Sequence, residues 1–177
     1  TNYNSSSIPA LDTIYNFVCI IVDPANYQKV YAGNWGVGVL EFINGELSEI
    51  YTPKNSAIQP HTNSDNFVTI SAVCFDNNNN LWIVNSGANS LLSVKTNQGD
   101  WKAFDLGSNA RILDLGKMII DHNNQKWIIK RIGVSSSEFL IVFTDNNTIS
   151  DTSDDETKLL SKNANNGNIP GSAVFSM

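Results

Sequence analysis

The sequence predicts an all-β fold: a partial β-propeller of four-stranded antiparallel blades, about three of them plus the start of a fourth. Three observations carry that expectation. Two Asp-to-Trp segments recur at a fixed offset, short apolar runs alternate with Asn-, Asp- and Gly-bearing turns, and no stretch shows the 3.6-residue apolar period of an amphipathic helix.

The offset comes first, because a fixed period decides the architecture. Ile70 to Phe75 is an apolar run closed by Asp76, followed by four asparagines and Leu81-Trp82-Ile83-Val84; Lys117 to Ile120 is closed by Asp121, followed by His122-Asn123-Asn124-Gln125 and Lys126-Trp127-Ile128-Ile129. Both the Asp pair and the Trp pair lie 45 residues apart. Upstream, Val18 to Val22 leads through Asp23 and Pro24 to Val30-Tyr31-Ala32-Gly33, with Tyr31 in the aromatic slot. In each copy a Gly-bearing turn then opens a third strand: Gly36 and Gly38 before Val39 to Ile43, Gly87 before Leu91 to Val94, and Gly133 before Phe139 to Phe143. Fourth strands close the units. Asn44-Gly45 is the strongest two-residue hairpin signal and joins Val39–Ile43 to Leu47–Tyr51, while Trp101 to Phe104 ends the second unit. The predicted blades cover roughly 14–52, 67–106 and 111–161, and 169–177 reads as the opening strand of the next.

A four-stranded blade has two faces and no core of its own, so it must stack on neighbours to exclude water. Tyr31, Trp82 and Trp127, locked to the repeat, are predicted to pack between blades; Trp35 and Trp101 fall outside that slot. Propellers contain 4–8 blades. The expectation is therefore a piece of a longer protein whose terminal faces meet further blades or a second copy.

Composition narrows the partners. Seventeen acidic against eleven basic residues give a net charge of -6, which disfavours nucleic acid. The longest apolar run, Phe17 to Val22, is far short of the ~20 residues of a spanning helix. Cys19 and Cys74 have no CxxC spacing and are expected to be buried, reduced thiols, with a bridge between repeats as the alternative.

With the repeat on the page, its residues resemble a known family. Val73-Cys74-Phe75-Asp76 through Leu81-Trp82-Ile83 is similar to the two-component-regulator propeller repeat of Bacteroidetes surface and sensor proteins. Val30 to Phe42, Asn85, Thr148 to Asp155 ahead of Leu159-Leu160, and Ile169-Pro170-Gly171 to Val174 resemble more closely the propeller of PorZ-like proteins of the type IX secretion system. The resemblance implies a periplasmic or cell-surface location, no enzymatic activity or cofactor in the propeller, and secretion or signalling proteins with a glycan or lipopolysaccharide as partners. It departs from the pattern at Asn80, where Gly is usual, and at Lys126, which stands in the Leu slot.

No nucleophile elbow, P-loop or recognisable carboxylate pair is present. Asp121-His122 has no nucleophile tied to it, and His61 lies in a polar connection. The Asp76 to Asn80 run mimics the first ligands of a calcium loop but has Leu81 at the sixth position and Gly87 at the twelfth, so no metal is expected there. The candidate ligand contacts are Asn34 and Trp35 in one glycine turn and Asn85 and Asn89 in the matching turn, polar groups beside an aromatic that suit sugar hydroxyls. The enzymatic alternative is a propeller lyase or lactonase with a metal or substrate in the central channel, since a fold alone does not fix activity.

Overall fold

The computed structural model describes residues 11–107, 110, 115–130 and 139–161. Three antiparallel meanders follow one another: β1 (Phe17–Asp23), β2 (Asn26–Gly36), β3 (Val39–Ile43) and β4 (Glu46–Tyr51); β5 (Val68–Phe75), β6 (Leu81–Asn85), β7 (Leu92–Lys95) and β8 (Trp101–Phe104); β9 (Leu115–Ile120), β10 (Lys126–Lys130), β11 (Phe139–Thr144) and β12 (Glu156–Ser161). Within each unit every strand pairs with its sequence neighbour. The fold is all-β and propeller-like, with no α-helix among the described residues. The expected opening strand at 169–177 lies outside the described residues, as does Gly133.

The turns explain why the period is rigid. Asp76 Oδ1 accepts the backbone N–H groups of Asn78 and Asn80 at 2.9 and 2.8 Å, and its Oδ2 accepts Trp82 Nε1 at 2.8 Å. Asp121 repeats this with Asn123, Gln125 and Trp127 at 2.9, 3.0 and 3.0 Å. Asn79 and Asn124 take the left-handed position of the two turns, at φ 61° and 64°, a conformation Asn tolerates better than other side chains. The Asp therefore holds both the hairpin and the indole of the next strand. Asn44-Gly45 has φ of 53° and 81°, the two positive values that a type I′ hairpin demands.

The cores lie between blades. Tyr31, Val39, Ile58, Val68, Ile70, Val73, Leu81 and Ile83 form one, and Tyr31 meets Phe75 edge-on at 5.8 Å. The second gathers around Trp82, which stacks on Phe104 at 5.3 Å and tilts against Phe143 at 6.2 Å. Trp127 departs from the expected burial: it is half-buried, because the face it occupies is turned away from the second core. Trp101 packs on Tyr51 across the first blade boundary, at 5.1 Å.

Both cysteines are free and half-buried instead of fully buried. Cys19 Sγ lies beside Gly33 and Ile70. Cys74 Sγ donates to the Met118 carbonyl at 3.0 Å. Desolvation pushes both thiols up to about 11.

Candidate functional site

The candidate ligand residues lie at the ends of β2 and β6: Asn34 and Trp35 are within β2, Asn85 closes β6, and Asn89 is in the turn that follows. Asn34 and Asn85 each stand three residues beyond the slot aromatic and are buried, Asn34 with both ends of its amide bonded and Asn85 with its oxygen bonded and its Nδ2 without a partner among the described residues. Asn34 Nδ2 donates to the Tyr15 carbonyl and its Oδ1 accepts Val37 N–H at 3.0 Å. Asn85 Oδ1 accepts Gln59 N–H at 2.7 Å. Trp35 is half-buried and Asn89 is exposed, so these two are the candidates that reach the surface. A repeated position three residues after the aromatic was itself the signal that the two asparagines serve the frame.

The polar connection between blades 1 and 2 is pinned across blade 2. Gln59 exchanges hydrogen bonds with Ser90, Nε2 to Oγ at 3.1 Å and backbone N–H to Oε1 at 3.0 Å, while Ser93 Oγ donates to the Ala57 carbonyl at 3.1 Å. Ile58 enters the first core beneath them. Gly87, at φ +72°, is required there, since a Cβ would sit 2.3 Å from the His61 ring. His61 is thus a packing group, its Nδ1 accepting Asn63 N–H at 3.1 Å.

The Asp76 turn has no oxygen to spare for a cation. Both carboxylate oxygens are occupied by backbone N–H groups, the Trp82 indole and Asn80 Nδ2. Asp121 is equally committed, and its carboxyl is held below the usual range: desolvation opposes this, but the combined hydrogen bonds from Gln125, Trp127 and Asn123 outweigh it. His122 stands exposed beside it.

One charged group was missed in the sequence as a functional feature. Lys126 is fully buried; its Nζ lies 3.9 Å from the centre of the Trp82 ring and 2.5 Å from Asp145 Oδ1. Desolvation lowers its pKa, and the Asp145 carboxylate opposes that. The departure from Leu is therefore a cation–π and ion-pair strut between blades 2 and 3. Its partner lies 19 residues on and becomes visible only through the β10–β11 register.

At the other extreme, the outer face of blade 1 is apolar and open. Val18, Ile20, Val30, Ala32, Phe42 and Tyr27 line a groove of about 750 Å³. Ile20 pairs with Ala32 as Val73 pairs with Ile83, yet Ile20 is 73 % exposed and Val73 6 %.

Among the described residues no helix is long and apolar enough to cross a membrane. No protein-family model matches the chain, and no curated protein matches it. A solved structure does match: PorZ, an essential bacterial surface component of the type-IX secretion system of Porphyromonas gingivalis, at 28% identity and a TM-score of 0.71 over 80% of this chain. The match covers 19% of the PorZ chain, so this chain spans about a fifth of the protein it resembles.

Proposed function

We propose that this chain is a propeller section of an extracytoplasmic surface protein related to the type IX secretion machinery, acting as a non-enzymatic scaffold. The observation that carries the reading is the likeness to PorZ over four-fifths of the chain. Commitment of the Asp76 and Asp121 oxygens to their own hairpins and indoles supports a structural use of the groups that most resembled catalytic or metal-binding chemistry. The open blade 1 face supports the scaffold reading, since its apolar residues occupy the repeat positions that blade 2 buries against blade 1. Its occupant is a further blade of the same ring, presenting an aromatic-slot face like that of Tyr31.

The test is surface labelling of intact cells that carry the full-length protein, together with secretion of type IX cargo after its deletion. Labelling from outside and loss of cargo export are expected. Recovery in the cytoplasm would overturn the location, and undisturbed export would overturn the link to secretion. A glycan contact at Trp35 and Asn89, the two candidates that reach the surface, is the ligand reading. Glycan-array binding by the full-length protein is expected to fall in Trp35→Ala, and unchanged binding removes Trp35 from the site.

A further inference from the structure

The end of blade 3 holds a row of buried oxygens that the fold does not satisfy. β10 pairs with β11 with Lys126 opposite Phe143, and β11 pairs with β12 with Thr144 opposite Glu156. One residue past the last β11–β12 pair, Asp145 stands opposite Asp155, and Asn124 is the left-handed residue of the turn before β10. Asn124 Oδ1, Asp145 Oδ2 and Asp155 Oδ1 are all buried, and none accepts a hydrogen bond from the described residues. Asn124 and Asp145 are themselves more than nine-tenths buried. Asn124 Nδ2 is tied to the same loop through Asn147 Oδ1 at 2.6 Å, which holds the amide against that loop.

Two carboxylates face one buried ammonium, Lys126, which engages Asp145 through Oδ1 alone. Lys102 influences Asp155, but its Nζ donates to the Ile149 carbonyl. Buried carboxylate oxygens without hydrogen-bond donors are costly.

We propose that Asn124, Asp145 and Asp155 form a binding site for a hard divalent cation of the calcium class at the hairpin end of blade 3. The donors are carboxylate and amide oxygens, the chemistry such an ion selects. Blade 2 shows the alternative that needs no ion. Its corresponding residues are Asn79, Asn97 and Gly99, so neither carboxylate has a counterpart, and Asn97 is satisfied by the turn, its N–H donating to Asn80 Oδ1 at 2.9 Å and its Nδ2 to the Asn78 carbonyl at 2.9 Å. Among the described residues no three Asp, Glu, His or Cys side chains converge on one point. Three protein oxygens are few for an ion that takes six to eight, which predicts a weak site with a dissociation constant of ~10⁻⁴–10⁻³ M.

Tryptophan-sensitised terbium luminescence of the whole chain tests this, because Trp82 lies against the Lys126–Asp145 pair. One saturable site, emptied by calcium, is expected, with affinity reduced about tenfold or more in Asp155→Asn and unchanged in Asp151→Asn. Asp155 makes no ion pair with Lys126, so its variant avoids stranding the buried ammonium. Absence of saturable emission overturns the proposal. Emission that survives Asp155→Asn, or falls equally in Asp151→Asn, assigns the ion to the exposed acidic loop and overturns it as well.

Discussion

Blades 2 and 3 share one frame and solve its weakest position differently. Each has the Asp turn, the left-handed Asn and the indole held by the Asp, yet blade 2 places Leu81 before its Trp and Asn97 two residues beyond the partner strand's paired Lys95, whereas blade 3 places Lys126 and Asp145. Blade 2 meets its backbone with amides that both donate and accept. Blade 3 uses charges, which hold blade 2's Trp82 firmly and leave acceptor oxygens behind. The frame thus tolerates either chemistry, but the charged one makes each member depend on the other.

Breaking that dependence produces the largest expected effect. Asp145→Ala strands a buried ammonium and is expected to cost about 3–5 kcal/mol in chemical denaturation. The double variant Lys126→Leu with Asp145→Asn copies blade 2 and is expected to recover most of the loss. If the double variant is no more stable than Asp145→Ala alone, the pair is not the source of the cost.

The two blade faces sharpen the comparison at a smaller scale. Val73→Ala, in the first core, is expected to lose about 2 kcal/mol, and Ile20→Ala, its repeat equivalent on the open face, less than about 0.5 kcal/mol in the 177-residue chain. Equal losses would mean that the blade 1 face is covered.

The smallest effect is kinetic. With both thiols near 11, labelling of Cys19 and Cys74 by a thiolate-selective reagent at pH 8 is expected to be slow and to rise about tenfold per pH unit until that value is reached. Deprotonation of a raised group also removes its contribution to stability. The folded state is therefore expected to weaken between the ordinary thiol value and about 11, as pH rises. Rapid labelling at neutral pH would remove the desolvation argument.

These contrasts mark what the sequence made legible. The Asp and Trp positions were readable because a local turn and the next strand share one carboxylate, so the whole device fits inside seven residues. Asn34 and Asn85 were harder. An Asn beside an aromatic suits a sugar hydroxyl and a backbone latch equally, and Asn85's partner, Gln59, lies 26 residues away. Lys126 read as a degenerate repeat because its partner is set by strand register, which single-residue patterns do not carry. The set of Asn124, Asp145 and Asp155 was hidden for the same reason: its members flank three different strands.

The short pairing of Trp35 with Thr69 and Gly36 with Val68 has a mechanical consequence. Backbone bridges resist sliding in a fixed direction, whereas the described contacts between blades 2 and 3 pass through side chains, such as Ser86 Oγ accepting Leu115 N–H at 3.0 Å and Asn77 Nδ2 reaching the His122 carbonyl at 3.4 Å. Shear across the first boundary must break sheet; shear across the second needs only to repack side chains. Blades 1 and 2 therefore behave as one stiff plate, and the Lys126–Asp145 strut acts as the rivet at a seam that would otherwise slip.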